Sequence, residues 1–361
     1  MRSSPPPRSP LEDADLRARV NKALEAFLDV QTGVLAGVGD ALAPVAYALR
    51  DFLLDGGKRL RPAFCYWGWR GAGGADCDEI VVAATSLELL QACALIHDDL
   101  MDGSDTRRGL PSIHRRFEAL HREQGWTGSA EGFGAAAAIL LGDMCLSWSD
   151  EMFAGSGLPE AAIRQAKPLF DLMRTEVMAG QYLDVLEQAM AGESVERARR
   201  VIRFKSAKYT IERPLHVGAK LAGAGEDLLR AYSAYGLPLG EAFQLRDDLL
   251  GVFGDPGETG KPAGDDLREG KRTVLIAMTL ERATPAQAEV VRSLLGDPGL
   301  DADGVARLRQ VIEETGAVAE VETMIQRLTD EALGALEASA VTAQAKRVLA
   351  DLAVAATRRR G

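Results

Sequence analysis

Several familiar classes of protein are excluded by what this chain has little of. It has four cysteines in 361 residues, Cys65, Cys77, Cys93 and Cys145, and none forms a CxxC pair, so zinc ligation is not indicated. Cys93 sits among apolar residues and reads as a small core residue. Basic residues are outnumbered, with 42 Lys and Arg against 53 Asp and Glu, and the net charge of −11 disfavours a nucleic-acid partner. No apolar stretch of membrane-spanning length is free of charge or glycine, so no transmembrane segment is expected. The first ten residues, MRSSPPPRSP, lack the apolar core of a signal peptide. They read as a disordered leader, and the cytoplasm is the default location. No long alternating run argues for a strand, and no fixed period argues for a solenoid.

What is present is a helical pattern nearly throughout. Ala, Leu, Glu and Arg dominate, and apolar residues recur at three- and four-residue spacing. Glycine-rich breaks separate the segments without dividing the chain into independent halves. The expectation is one all-α domain over residues 11–361, a single-domain bundle of antiparallel helices.

Two apolar segments end abruptly in acid. Glu79–Asp102 is apolar almost all round, as a helix in the middle of a bundle would be, yet it carries Asp98, Asp99 and Asp102 at its end. On a helix Asp98 and Asp102 share a face, one turn apart. Their repulsion calls for neutralisation, and hard oxygen ligands at that spacing suit Mg²⁺. A solvated acidic helix end is the plain alternative, but a buried helix should not stop in unpaired acids. Leu237–Phe253 repeats the arrangement with Gln244, Asp247 and Asp248. If the two ends meet, they can hold several Mg²⁺ ions and a diphosphate between them. Cations for diphosphates are at hand in Gly56-Gly57-Lys58-Arg59-Leu60-Arg61-Pro62, in Arg107 and Arg108, and in Lys205, Lys261 and Lys271. Each alone would pass for a surface charge. Their joint occurrence in this order would not.

The chain resembles the trans-type, head-to-tail polyprenyl diphosphate synthases. The likeness rests on GGKRLRP at 56–62, LELLQACALIHDDLMDGSDTRRG at 87–109, FKSAKYT at 204–210, FQLRDDLLGVFGD at 243–255, TGKPAGDD at 259–266 and EGKRT at 269–273. It looks closest to bacterial geranylgeranyl diphosphate synthases. The resemblance implies helices around a deep central cavity, a homodimer, and Mg²⁺ held by Asp98, Asp102 and Asp247. It implies isopentenyl diphosphate on Lys58, Arg61, Gln91 and Arg108. The allylic diphosphate would lie on Arg107, Lys205, Ser206, Gln244, Lys261 and Lys271. Asp98, Asp102, Asp247, Arg107 and Lys205 would carry catalysis. One departure is visible. The second motif is often DDxxD in the family, and here Gly251 takes the last position, with Asp255 too far along to replace it simply.

The expected reaction joins isopentenyl diphosphate to an allylic diphosphate. The allylic diphosphate leaves, an allylic cation develops, the double bond attacks it, and the departing diphosphate takes the proton. The growing tail should pass Cys93 and Ala94, then Leu90 and Leu87. Two small residues leave room for a further turn, about 5 Å, so geranylgeranyl diphosphate is the expected product, with farnesyl or longer products as alternatives. A class I terpene cyclase and a non-catalytic subunit of a heteromeric synthase are the rival readings. His97 is expected to point away from the face of Asp98 and make a structural hydrogen bond. Arg358–Arg360 read as a frayed tail.

Overall fold

The structure, a computed structural model, describes residues 15–254, 264–297 and 299–357. The leader, Asp255, Lys261 and Arg358–Arg360 lie outside the described residues.

Helix α1 (Leu16–Val38) buries Leu16, Val20, Leu24, Leu28, Gln31 and Leu35, the stripe that three- and four-residue spacing produces. Helix α2 (Ala43–Leu54) follows, then α3 (Leu60–Gly71), whose Phe64, Tyr66 and Trp67 are among the largest fully buried side chains. Helix α4 (Asp78–Met101) is buried on every side through most of its length, as its near-continuous apolar sequence requires. It packs on α6 (Ala130–Ala154), beyond the short α5 (Ile113–Glu123). Helix α7 (Glu160–Ala189) spans 30 residues, and α10 (Glu226–Phe253) spans 28 and packs against several of the C-terminal helices, most extensively the penultimate one. Those are α11 (Asp265–Arg268), α12 (Val274–Arg282), α13 (Pro285–Leu294), α14 (Ala302–Glu314), α15 (Ala317–Ala338) and α16 (Ala343–Thr357).

Two features were not legible as sequence. The first is a small hairpin, the only strand pairing among the described residues, joining Thr106–Arg107 to Leu110–Pro111. Its turn holds Arg108 at φ 54° and Gly109 at φ 78°, the left-handed pair that a tight hairpin turn demands. The second is the middle of the continuous helix from Val195 to Leu221. Between α8 (Val195–Val201) and α9 (Arg213–Leu221), residues Ile202–Glu212 are wound as a π-helix. Pro214 supplies a physical reason, since it has no N–H to return to the preceding turn. The widened helix presses into two notches. A Cβ on Gly180 of α7 would lie 2.4 Å from the nitrogen of Lys205, and one on Gly240 of α10 would lie 2.5 Å from Cα of Ala207. Only glycine permits either approach, and both bring the π-helical segment against its neighbours.

Candidate active site

The acidic ends of α4 and α10 do meet. They open into one cavity of about 990 Å³, lined also by α3, α7, the π-helical segment and the residues before α12. Both clusters lie in the last turns of their helices, at the negative end of the helix dipole. Burial and dipole both act against the charged form of these carboxylates. Burial, then the neighbouring Asp98, pushes the Asp102 carboxyl up to about 7. Burial pushes Asp248 up to about 7 as well. For Asp98 burial acts in the same sense, but Lys205 and Lys271 outweigh it and hold the group below the ordinary carboxylate range.

Two lysines knit the acids together. Lys205 Nζ lies 2.9 Å from Asp98 Oδ1 and 2.7 Å from Asp184 Oδ2. Lys271 Nζ lies 2.7 Å from Glu269 Oε2, 3.0 Å from Asp266 Oδ1 and 3.8 Å from Asp102 Oδ2, so it spans both clusters. Burial opposes the charge on each lysine, yet the surrounding carboxylates raise both above their ordinary range. Gln181 donates to Asp98 Oδ1 at 2.8 Å, and Gln244 donates to Asp248 Oδ1 at 2.9 Å. Asp184 and Gln181, on one face of α7, were missed in the sequence. Their only signal is Gly180 beside them, and its meaning depends on the partner helix.

The hairpin sends its two arginines to different places. Arg107 lines the cavity and donates from Nε to Asp99 Oδ1 at 3.0 Å, with Asp98 Oδ2 at 3.9 Å. Arg108 is not among the lining residues. It donates instead to the carbonyl of Asp55, at 2.8 Å. On the far wall Lys58, Arg61 and Gln91 face the same space. Arg61 stacks over the ring of Tyr209 at 4.3 Å and donates to Thr210 Oγ1 at 2.7 Å, leaving its Nε buried without a partner. The Gln91 Oε1 is likewise buried and unpaired. Unsatisfied polar groups on a cavity wall need an explanation, and a polar ligand in the cavity would supply one.

Gly251 is explained by its neighbour. A Cβ built on it would lie 1.8 Å from Asp266 Oδ2. The carboxylate of Asp266 therefore fills the space that an aspartate at 251 would need, and sits among the residues of the second cluster.

Below the carboxylates the walls turn apolar. Leu90, Cys93 and Ala94 line the cavity with Val177 and Phe243. Leu87 does not; it is wholly buried in the core, so the expectation that it meets the tail is corrected. His97 lies 3.1 Å through Nε2 from the carbonyl of Ile139, and it also borders the cavity.

Comparison with known proteins settles the family. The family model for polyprenyl synthetase matches residues 43–314. This chain belongs to the polyprenyl synthetase family. A geranylgeranyl pyrophosphate synthase from Corynebacterium glutamicum, solved with isoprenyl diphosphate and magnesium, superposes on this polyprenyl synthetase with a TM-score of 0.93. It is 45% identical over 96% of this chain and 99% of its own. A geranylfarnesyl diphosphate synthase of Aeropyrum pernix is 32% identical over 81% of this chain and 87% of its own. A geranylgeranyl diphosphate synthase of Mycobacterium tuberculosis is 30% identical over 77% and 73%. The all-α isoprenoid synthase fold and prenyltransferase activity follow from that membership.

The donor set fits magnesium in the manner of a cation shared with substrate phosphates. Asp98, Asp102 and Asp247 offer hard oxygens, and burial with Asp98 alongside keeps the Asp102 carboxyl raised, a state a bound cation would relieve. Among the described residues no three acidic, histidine or cysteine side chains form a metal cage by themselves.

Proposed function

We propose that this polyprenyl synthetase condenses isopentenyl diphosphate with an allylic diphosphate, head to tail, and releases chiefly geranylgeranyl diphosphate. The observation that carries the reading is the division of one cavity into two cationic walls above one apolar floor. Lys58, Arg61 and Gln91 form one wall, and Arg107, Lys205, Gln244 and Lys271 form the other. A terpene cyclase handles one diphosphate and needs one such wall. A non-catalytic subunit has no use for buried acids gathered with cations around one cavity.

Asp98, Asp102 and Asp247 would hold Mg²⁺, which supplies Lewis-acid stabilisation to the departing diphosphate. Lys205, Lys271 and Arg107 take up charge on the same leaving group, and all three are already fixed by carboxylates, so little reorganisation is needed. Ser206 and Gln244 line this side and can donate to phosphate oxygens. The apolar walls keep water from the allylic cation. The departing diphosphate, held beside the reacting carbons, accepts the proton. Cys93 and Ala94 leave the upper floor open to a lengthening tail.

Purified protein is to be incubated with labelled isopentenyl diphosphate and, separately, dimethylallyl, geranyl or farnesyl diphosphate. A twenty-carbon diphosphate that forms with Mg²⁺ and disappears with EDTA is the expected result, and Ala94→Phe should shift it to fifteen carbons. Cyclic hydrocarbon, or no turnover with any primer, would overturn the reading. The homodimer is proposed on α6, whose Phe133, Ile139 and Leu140 stand exposed.

A further inference from the structure

Arg59 differs from the cations on either side of it. Lys58 and Arg61 line the cavity, whereas Arg59 is only 4% exposed and faces away from it. Its backbone is left-handed, φ 50° and ψ 35°, in a residue that is not glycine. Such outliers persist where the surroundings over-determine them, and they cluster at ligand sites.

The surroundings are specific. Arg59 Nη1 lies 2.5 Å from Glu88 Oε2, both side chains being buried. Its Nε donates to Asn21 Oδ1 at 3.1 Å, and its Nη2 donates to the carbonyl of Leu53 at 2.7 Å. Thus one guanidinium ties α1, the end of α2 and the middle of α4. Two more arginines grip the same stretch. Arg108 donates to the carbonyl of Asp55 at 2.8 Å, and Arg17 donates to that of Gly57 at 3.1 Å. Three arginines therefore hold the carbonyls of Leu53, Asp55 and Gly57, from the end of α2 into the connection to α3. Arg59 and Arg108 approach closely, since a Cβ on Gly57 would lie 3.5 Å from one guanidinium and 3.4 Å from the other. Like charges so placed repel, and buried Glu88, paired with Arg59, attracts both. Glu88 is also one turn before Gln91 on α4, so the same helix anchors the clamp and faces the cavity.

We infer that the buried Arg59–Glu88 pair is the positioning element of the isopentenyl diphosphate subsite, setting the backbone from Leu53 to Lys58 so that Lys58 and Arg61 point at one phosphate group. This rests on the two-substrate reading above. Neither residue touches substrate; both act through the loop. Arg59→Lys keeps the charge and loses the fork that holds Glu88, Asn21 and Leu53 together. Glu88→Gln keeps the shape and leaves Arg59 and Arg108 uncompensated.

The test is steady-state kinetics of the full chain, varying isopentenyl diphosphate at saturating allylic diphosphate and the reverse. Each variant should raise KM for isopentenyl diphosphate by about ten- to a hundredfold, the cost of an ångström-scale misplacement. The KM for the allylic substrate and kcat should stay within about twofold, since only one subsite is disturbed. The double variant should cost no more than the worse single one, because the residues act as a unit. An equal rise in both KM values, or a fall in kcat alone, would show a merely structural role and sink the inference. If Arg59→Lys does not fold by circular dichroism, Glu88→Gln alone decides, because Arg59 keeps its bonds to Leu53 and Asn21. Wild-type protein that elongates nothing would refute the functional reading instead, so the two failures are separable.

Discussion

Gly251 stands where an acid is common in the family, and Asp266 stands in the space that acid would occupy. A substitution that restores the motif should therefore harm the enzyme. In Gly251→Asp the new Cβ collides with a carboxylate held by Lys271, and it adds a like charge beside Asp247 and Asp248. Expect kcat/KM to fall by about tenfold or more, the scale for losing one preorganised electrostatic contact. Wild-type or better activity would show that Asp266 can move aside freely. The two aspartate pairs were legible residue by residue, because an apolar helix buried in a bundle should not end in unpaired acids, although an acidic helix end alone is a weak signal. Asp184 was not: a single aspartate on a mixed helix face carries no pattern until Lys205 is found 2.7 Å away.

Among the elements, the π-helical segment does the most to shape the site. Its cavity side bears Lys205, Ser206 and Tyr209. Its other side is locked by a buried network in which Glu176 binds Lys208 and Arg213, and Glu212 accepts from Ser233 at 2.6 Å. His216 completes it. Arg213 can only donate, so His216 Nδ1 is the acceptor at 3.1 Å, and Nε2 carries the hydrogen toward the Leu229 carbonyl at 3.0 Å. Burial pushes this imidazole down to about 4, with Arg213 acting in the same direction against Glu212. The folded value lies below the unfolded 6.5, so the unfolded chain takes up the proton first as pH falls. The stability His216 contributes is complete above pH 6.5 and drains away toward pH 4. Asp102 and Asp248, raised to about 7, slope the opposite way over much of that window. The comparison must therefore be a difference. Melting temperatures of wild type and His216→Gln, followed from pH 7 to 4.5, should converge as pH falls. Parallel curves would show that His216 does not titrate there.

At the scale of the molecule, α4 and α6 are both long and apolar enough to cross a membrane by length and composition. They are used differently. The most apolar stretch of α4 is 72% buried within the protein, but that of α6 only 28%. An apolar helix face left open on a folded chain marks an interaction surface. A second copy of this chain is the occupant proposed above. Leu140 is 60% exposed, so Leu140→Glu should leave the fold intact, surface changes costing within about 0.5 kcal/mol. The expected readout is halving of the mass measured by light scattering, with unchanged circular dichroism. Unchanged mass, whether of one copy or two, would remove α6 from the interface.

The sequence by itself determined the all-α class, the two aspartate clusters, the basic residues around them and the family likeness. Those signals are local: apolar spacing along a helix, acids at its end, glycines before a cation. Tertiary structure alone decided that both acidic ends share one cavity and that Lys205 and Lys271 bridge them. It also decided that Arg107 and Arg108 part company, that Asp266 occupies the space an acid at 251 would need, and that Leu87 belongs to the core. Each of these depends on distance between residues far apart in the chain. Three- and four-residue periodicity says which face of a helix is buried, but not what packs against it. The π-helical winding lies beyond such periodicity for the same reason, since Pro214 makes it possible and the notches at Gly180 and Gly240 hold it in place.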